Sequence, residues 1–210
     1  MARILITSGP TRQYLDPVRY LTNASSGRMG RALAQAALEL GHEVVMVSGP
    51  VEVEYPDGVE IVWVTSTEEM LEKSCEIFEH CDGLIGAAAP CDYRPQRVEE
   101  NKIAKDGQPL VLHLIETPDV VATLGAGKRS NQWTVGFALE TEDQRFRAIT
   151  KMERKSCDLM VLNGPEAMNS LTNQIEILDP TGNVIKSAQG SKEDVARVIL
   201  ATIEEILVTE

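Results

Sequence analysis

The sequence predicts an α/β fold in which helices cover both faces of a mostly parallel sheet. Short apolar segments rich in valine and isoleucine alternate with amphipathic segments of helical period along most of the chain. An Asp-Pro-Thr-Gly turn at residues 179–182 lies between two strand-like segments and precedes a final amphipathic helix. Strands that alternate with helices favour parallel pairing, because each helix carries the chain back to the same edge of the sheet. We therefore expect a Rossmann-like sheet, closed by a C-terminal β-hairpin and helix.

The first half of the chain supplies four predicted strands, at residues 2–8, 43–48, 59–64 and 82–88. A strong helical segment at residues 30–40 is ended by Gly41, which suits the left-handed conformation that often follows a helix. Thr67 is the expected N-cap of a second helix that extends to about Phe78. Each predicted helix lies between two strands, as crossover connections require.

The second half contains predicted strands at residues 110–115, 134–139 and 158–162, and predicted helices at 141–155 and 191–207. Pro118 is expected at the first position of a short helix after Thr117, and Ser191 with Asp194 forms a predicted capping box. The hairpin strands are residues 173–178 and 183–187. Residues 92–108 are polar and are predicted to form a long mobile loop, a kind of segment that is usually functional in a compact domain. With no repeat and no linker, residues 1–210 are predicted to form a single domain.

The composition argues against several classes of partner. The chain of 210 residues carries a formal net charge of −12, and the resulting repulsion disfavours nucleic acid. No apolar run approaches the ~18 residues of a membrane helix, so no membrane partner is expected. The four cysteines form no Cys-x-x-Cys pair, which disfavours a zinc site and is typical of buried thiols in a reducing, cytoplasmic setting. Any phosphate site would have to be built locally, from helix N-termini and clustered lysines and arginines.

The turn after the first strand is the first candidate binding segment. Residues 8–10 (SGP) end that strand, and an insertion separates them from residues 25–30 (SSGRMG), where the helix opens. Gly27 and Gly30 resemble the end of the glycine-rich fingerprint of dinucleotide-binding folds, and the free N–H groups of a helix N-terminus suit an anion. The alternative is ordinary N-capping with close packing of the helix on the sheet.

The insertion itself, residues 11–24, carries Arg12, Asp16, Arg19 and Asn23. A structural loop seldom needs two arginines and an asparagine so close to a helix N-terminus, although a solvated loop remains the alternative. Residues 86–95 (GAAAPCDYRP) follow the fourth strand, and their small side chains let a phosphate or a planar ligand approach the backbone.

Three lysines are candidates for phosphate binding. Lys102 lies in the predicted loop, from which it could close over a phosphate, although by itself it would be an ordinary surface lysine. Lys151 and Lys155 lie four residues apart and share one face of a helix, where a polyphosphate would relieve their mutual repulsion. The alternative for this pair is a solvated helix face, and in either case we expect both side chains to be exposed.

The same residues argue against three other functions. A nicotinamide dehydrogenase needs an acidic residue at the end of the second strand, but residues 47–50 are Val-Ser-Gly-Pro. An NADP-dependent short-chain oxidoreductase needs a Tyr-x-x-x-Lys pair, and none of the four tyrosines has that spacing. A non-catalytic nucleotide-binding module would explain the glycines, but not the combination of Arg19, Asn23 and Lys102.

Six segments, in the same order and with similar spacing, resemble the phosphopantothenate–cysteine ligase domain, of a free-standing bacterial type. They are residues 4–30, 86–95, 102–103, 117–119, 135–141 and 151–155. This resemblance implies a ligase of coenzyme A biosynthesis that joins 4′-phosphopantothenate to cysteine through an acyl-cytidylate, with CTP converted to CMP and pyrophosphate. It further implies Mg²⁺ bound mainly through the nucleotide phosphates, with its protein ligands unknown, a homodimer with each site near the subunit interface, and no flavin.

The resemblance also implies roles for individual residues. The catalytic residues would be Arg19, Asn23 and Lys102, and the substrate would contact Arg19, Asn23 and Ala89. The nucleotide-binding positions would be Ser8, Gly9, Gly27, Gly86, Ala87, Ala88, Asp92, Lys102, Thr117, Pro118, Asp119, Val120, Phe137, Lys151 and Lys155. The chain departs from the family pattern at Pro90-Cys91, at Ala104 and at Gly164.

The chemistry of such a ligation divides the roles of Asn23 and Lys102. Activation brings two anions together, and a lysine on a mobile loop can offset their repulsion. Asparagine is neutral, but it can donate a hydrogen bond to a carbonyl oxygen that gains charge when the amine attacks. We therefore expect Lys102 to act while the acyl-nucleotide forms, and Asn23 to act after it has formed.

Overall fold

The computed structural model describes residues 1–139, 143–163 and 173–208. In chain order the strands are β1 (Arg3–Ser8), β2 (Arg12–Tyr14), β3 (Tyr20–Thr22), β4 (Glu43–Ser48), β5 (Glu60–Trp63), β6 (Gly83–Gly86), β7 (Tyr93–Pro95), β8 (Leu114–Glu116), β9 (Trp133–Leu139), β10 (Leu159–Asn163), β11 (Asn173–Leu178) and β12 (Val184–Gly190). The helices are α1 (Arg28–Glu39), α2 (Thr67–Phe78), α3 (Val120–Gly127), α4 (Gln144–Lys155) and α5 (Lys192–Ile206).

The central sheet has eight strands in the order β12-β11-β10-β9-β6-β1-β4-β5. The six strands from β10 to β5 pair in parallel. Strand β11 pairs antiparallel with β10, and β12 pairs antiparallel with β11. The chain builds outward from β1 to β5 on one side and then returns to build from β6 to β10 on the other. The direction of winding therefore reverses between β1 and β6, the kind of switch point at which open α/β sheets bind ligands.

Side chains alternate between two apolar layers, one on each face of the sheet. Ile4 and Ile6 of β1 pack with α1 and α5, in a core that includes Leu33 and Ile199. Leu5, between them, points to the opposite face and packs with α2 and α3. The predicted α/β sheet with helices on both faces, a C-terminal hairpin and a closing helix is confirmed.

Two predicted helix starts are wrong. The N-cap of α2 is Ser66 and not Thr67, because Glu69 stands three residues after Ser66 and completes a capping box with it. The N-cap of α3 is Asp119, whose carboxylate accepts a hydrogen bond from the N–H of Ala122. Pro118 therefore precedes the helix and does not form its first turn.

The predicted strand at residues 110–115 is also largely wrong. Only Leu114–Glu116 forms a strand, which pairs with β7 inside the segment predicted to be a loop. Leu110 and Val111 remain exposed, because no sheet face covers them. The predicted start of the helix at residue 141 lies outside the described residues, as does Gly164. No helix among the described residues is long and apolar enough to cross a membrane.

Candidate active site

A cavity of about 660 Å³ lies at the carboxyl ends of β6 and β9, beside the N-terminus of α3, and we call it the sheet-end cavity. Nine of the predicted nucleotide-binding residues line it: Gly86, Ala88, Asp92, Thr117, Pro118, Asp119, Val120, Phe137 and Lys155. These residues come from four separate segments of the chain. The structure thus brings most of the predicted nucleotide site together.

Short contacts hold the walls of this cavity in place. The Thr117 hydroxyl donates to the carbonyl oxygen of Cys91, and the Thr117 N–H donates to that of Asp92 at 2.9 Å. At Gly86, a Cβ atom would lie 2.5 Å from a methyl group of Val121, so only glycine leaves the backbone bare at this position. The cavity therefore offers exposed backbone on one side and a carboxylate, Asp92, on the other.

An ion pair occupies the helical side of the cavity. The Lys155 ammonium lies 2.9 Å from Asp119 Oδ1, and Arg154 approaches the other carboxylate oxygen at 3.5 Å. Burial raises the pKa of Asp119, but the hydrogen bond and charge of Lys155, the N–H of Ala122 and the charge of Arg154 together outweigh burial, and the pKa is held below its ordinary value. The Lys155 side chain is only 19 % exposed, so the expectation of an exposed side chain is wrong there.

Lys151 lies one turn earlier on α4, and it is not among the residues that line the sheet-end cavity. Its side chain is half-buried, so the expectation of exposure is wrong for this lysine as well. The two predicted lysines therefore differ in position, because Lys155 lines the sheet-end cavity together with its partner Asp119 and Lys151 does not.

A second cavity, of about 500 Å³, lies against the N-terminus of α1, and we call it the α1 cavity. Asn23, Ser25, Ser26 and Arg28 are among its lining residues. The N-cap of α1 is Gly27, which adopts φ 74° and, being glycine, has no side chain that could cap the helix. The first turn of α1 contains no acidic residue. The N–H groups at the start of this helix therefore lack a side-chain partner, as an anion-binding site requires.

The glycines and Ser8 near this helix have a structural role as well. A Cβ on Gly30 would lie 2.1 Å from the Ser8 hydroxyl oxygen, so α1 packs closely on β1 only because residue 30 is glycine. Ser8 is fully buried and donates to the carbonyl oxygen of Gly27 at 3.4 Å, while Tyr55 donates to Ser8 at 2.9 Å. Ser8, Gly9, Gly27 and Ala87, all predicted to bind the nucleotide, do not line the sheet-end cavity.

Asn23 stands where the two cavities adjoin. Its Nδ2 atom donates to the carbonyl oxygens of Ala89, at 3.2 Å, and Pro90, at 2.8 Å. Asn23 lines the α1 cavity and Pro90 lines the sheet-end cavity, so this short contact is the partition between them. Both amide hydrogens are already used, and Oδ1 has no hydrogen-bond partner among the described residues. The side chain as placed is a free acceptor and not the free donor that the sequence suggested.

Arg19 and Lys102 lie apart from both cavities. The Arg19 guanidinium donates through Nη1 to Asp16 Oδ2 at 3.0 Å and to the carbonyl oxygen of Ile103 at 3.1 Å. Lys102 is exposed and lines a third cavity, of about 820 Å³, which we call the flap cavity. The structure therefore does not bring Lys102 to the predicted nucleotide site.

Several residues near these sites were not assigned a role from the sequence. Arg154 and Glu116 line the sheet-end cavity, and Asp16 is fully buried beneath Arg19. Only the Asp-Pro turn signal at residues 16–17 could have indicated that Asp16 bonds to the backbone. Across residues 1–139, 143–163 and 173–208, no group of three or more His, Cys, Asp or Glu side chains could hold a metal ion.

Comparison with known proteins shows the family of this chain. The family described as DNA/pantothenate metabolism flavoprotein C-terminal domain matches residues 1–207. A curated relative from Vibrio parahaemolyticus, the Coenzyme A biosynthesis bifunctional protein CoaBC, is 39 % identical over 211 residues, which are 97 % of this chain and 52 % of the relative. A second relative, a cysteine/cysteine sulfinic acid decarboxylase from an unknown prokaryotic organism, is 42 % identical over 206 residues, 96 % of this chain and 57 % of the relative.

Among solved structures, the C-terminal domain of the Coenzyme A biosynthesis bifunctional protein CoaBC has a TM-score of 0.84 with this chain. The two are 38 % identical, and the match covers 98 % of this chain and 95 % of that one. The chain spans about half the length of the curated relatives it matches. From the match over residues 1–207, the chain belongs to the family of DNA/pantothenate metabolism flavoprotein C-terminal domains.

Proposed function

We propose that the chain is a nucleotide-dependent ligase of coenzyme A biosynthesis, which joins 4′-phosphopantothenate to cysteine through an acyl-cytidylate. The observation that carries the proposal is the pair of adjoining cavities divided by the contact of Asn23 with Ala89 and Pro90. Two reactants held on either side of this partition would meet beside a polar side chain. The names of the curated relative from Vibrio parahaemolyticus and of the solved C-terminal domain support the same pathway, although the curated relative is about twice as long as this chain.

Nucleotide activation is needed because a carboxylate does not accept an amine directly, since oxide is a very poor leaving group. Formation of an acyl-nucleotide makes a nucleotide monophosphate the leaving group. The sheet-end cavity has a volume typical of small-molecule sites, and its bare backbone at Gly86 suits a planar base. Lys155 stands at its edge, where it could exchange its bond to Asp119 for one to a phosphate.

The α1 cavity is the proposed site for the phosphorylated acid. Arg12 and Arg28 supply positive charge there, Ser25 and Ser26 supply hydroxyl groups, and the helix N-terminus supplies N–H groups. Such a local site is necessary, because the net charge of −12 would otherwise repel an anionic substrate.

The roles proposed for the three catalytic residues follow from their surroundings. Asn23 Oδ1 accepts a hydrogen bond from the amine of cysteine and so orients it, because the amide hydrogens are already bonded to Ala89 and Pro90. Arg19 and Lys102 offset the charge of the reacting anions, and Lys102 must first move from the flap cavity toward the nucleotide. Mg²⁺, brought by the triphosphate, would neutralise further phosphate charge.

A homodimer is part of the proposal. Residues 110–115 expose a run of apolar side chains, and Val111 is 74 % exposed. A contiguous apolar patch of this kind marks an interaction surface more often than it marks ordinary solvent-exposed surface. The flap cavity borders the same residues, so a second copy docked there would lie close to Lys102.

The four cysteines form no disulfide, which supports the cytoplasmic setting.

One assay separates this proposal from an oxidoreductase or a non-catalytic binding module. The chain is incubated with 4′-phosphopantothenate, Mg²⁺ and either CTP or ATP, and pyrophosphate is measured before and after cysteine is added. We expect pyrophosphate release that depends on 4′-phosphopantothenate and is faster with CTP than with ATP. The amide with cysteine should form only after cysteine is added. Absence of pyrophosphate with both nucleotides would refute the ligase function, and equal or faster turnover with ATP would refute the preference for CTP.

A further inference from the structure

The carboxylate of Asp16 is buried and fully bonded. Among the described residues, Asp16 is the only aspartate or glutamate that is buried, and it is 0 % exposed. Its Oδ1 atom accepts from the N–H groups of Val18 and Arg19, both at 2.8 Å. Its Oδ2 atom accepts from Arg19 Nη1 at 3.0 Å and from the N–H of Ile103 at 3.1 Å. Burial raises the pKa of Asp16, but these bonds outweigh it and the pKa lies below its ordinary value.

The two oxygens have different tasks. The bonds to Oδ1 are local and stabilise the turn at residues 16–19, as an asparagine in that place would also do. At Oδ2, the bond from Arg19 stays within this turn, whereas the bond from Ile103 joins the turn to a segment more than eighty residues later. Because Oδ2 accepts from two donors at once, it must be a carboxylate oxygen and cannot be an amide nitrogen.

The distant partner is the backbone next to Lys102. The N–H of Ile103 belongs to the peptide group that joins Lys102 to Ile103, and Arg19 also donates to the Ile103 carbonyl oxygen at 3.1 Å. Three residues before Lys102, the N–H of Glu99 donates to the carbonyl oxygen of Leu15 at 2.9 Å. The segment that carries Lys102 is thus tied to two consecutive residues, Leu15 and Asp16, on both sides of that lysine.

We propose that Asp16 is a positioning residue, which holds Arg19 and the backbone beside Lys102 in one fixed arrangement for the activation step. Asp16 is enclosed and does not itself touch a substrate. It acts through the two cations on which the proposed ligase function relies, and its effect on rates rests on that function. The bond from Ile103 to Asp16 is independent of that function and can be tested separately.

The test is Asp16→Asn, which keeps an oxygen for the turn and places an NH₂ group opposite the N–H of Ile103 and the Arg19 guanidinium. Hydrogen exchange on the free protein should show the Ile103 amide exchanging about tenfold faster or more, the scale expected for a lost bond to a charged group. With CTP and 4′-phosphopantothenate, formation of the acyl-cytidylate should slow by a similar factor, while transfer of a preformed acyl-cytidylate to cysteine keeps its rate. A purely structural role would lower both rates in proportion to the folded fraction.

Asp106→Asn is the matched control, because it makes the same chemical change at an exposed carboxylate on the segment of Lys102, where the one bond to a described residue comes from the N–H of Gln108. It should leave Ile103 exchange and both rates unchanged. If Asp16→Asn does not fold, Ile103→Pro removes the same N–H from the other partner and should slow activation alone.

Each outcome of these measurements decides one question. Unchanged Ile103 exchange in Asp16→Asn, or equal slowing of both half-reactions, would overturn the positioning role. If the Ile103 amide exchanges faster in Asp16→Asn but the parent protein shows no ligation, the bond between Ile103 and Asp16 is supported and the ligase function is refuted.

Discussion

Replacement of Lys155 by alanine should destabilise the protein even when no nucleotide is present. The sequence alone suggests no such cost, because a lysine on a solvated helix face contributes little. In the structure, however, the ammonium bonds Asp119 at 2.9 Å, with the two side chains 19 % and 34 % exposed. Removal of Lys155 leaves a partly desolvated carboxylate at the N-terminus of α3, with only the N–H of Ala122 and the weaker approach of Arg154 as partners among the described residues.

The magnitude follows from the degree of burial. Hydrogen bonds to charged groups contribute roughly 1.5–3 kcal/mol, whereas exposed ion pairs contribute about 0.2–1 kcal/mol. Because Asp119 retains about a third of its exposure, solvent screening reduces the first value, and we expect a loss of about 1–2 kcal/mol in the free energy of unfolding. For a chain of this size, that loss lowers Tm by roughly 2–8 °C.

Thermal unfolding at pH 7 with Lys73→Ala as the control tests this value. Lys73 also lies on a helix and also has a carboxylate at 2.9 Å, that of Glu76, but these side chains are 40 % and 56 % exposed. We expect Lys73→Ala to lower Tm by less than Lys155→Ala does, because solvent screens an exposed ion pair. The two variants therefore differ in the burial of the ion pair and not in its length, and equal Tm values for Lys155→Ala and the parent would refute the reasoning.

The same pair predicts a pH dependence with a definite sign. The pKa of Asp119 is lowered in the folded state, so the pair stabilises the protein above the unfolded pKa of about 3.9 and loses that contribution as the pH falls through the folded value. The difference in Tm between Lys155→Ala and the parent should therefore shrink on acidification below about pH 4. A difference that grows with acid would contradict this assignment.

Three further predictions concern the reaction, the assembly and the thiols. Asn23→Asp should accumulate acyl-cytidylate without transferring it to cysteine, because a carboxylate oxygen would face the carbonyl oxygens of Ala89 and Pro90. Lys102→Gln should form little acyl-cytidylate. Mass spectrometry of the intermediate, with and without cysteine, tests both variants. Val111→Asp should convert a dimer to a monomer in size-exclusion chromatography with light scattering, and a monomeric parent would contradict the interface. Cys75, the partly exposed thiol, should react first with a thiol reagent at pH 8, whereas Cys157, whose pKa burial raises to about 11, should react only on unfolding.

Local patterns in the sequence were sufficient to predict the class of fold. Strand and helix periodicity depends on which face of each element is apolar, and that information lies in adjacent residues, such as Ile4 and Ile6 against Leu5. The hairpin turn at residues 179–182 and the capping box of Ser191 with Asp194 are equally local, and both are found as predicted. One misassigned start, that of α2, involved a choice between adjacent hydroxyl residues that the position of Glu69 decides.

The tertiary structure decided which of the predicted site residues lie together, and which partners and how much exposure each of them has. Lys155 meets Asp119 across 36 positions and Asp16 meets Ile103 across 87, and no periodicity relates such distant residues. Asn23 looked like a hydrogen-bond donor from its chemistry, but the carbonyl oxygens of Ala89 and Pro90 take both of its amide hydrogens. A sequence states which groups a chain carries, whereas the partner of each group depends on packing between elements, and it is the partner that sets charge, exposure and the direction of every hydrogen bond.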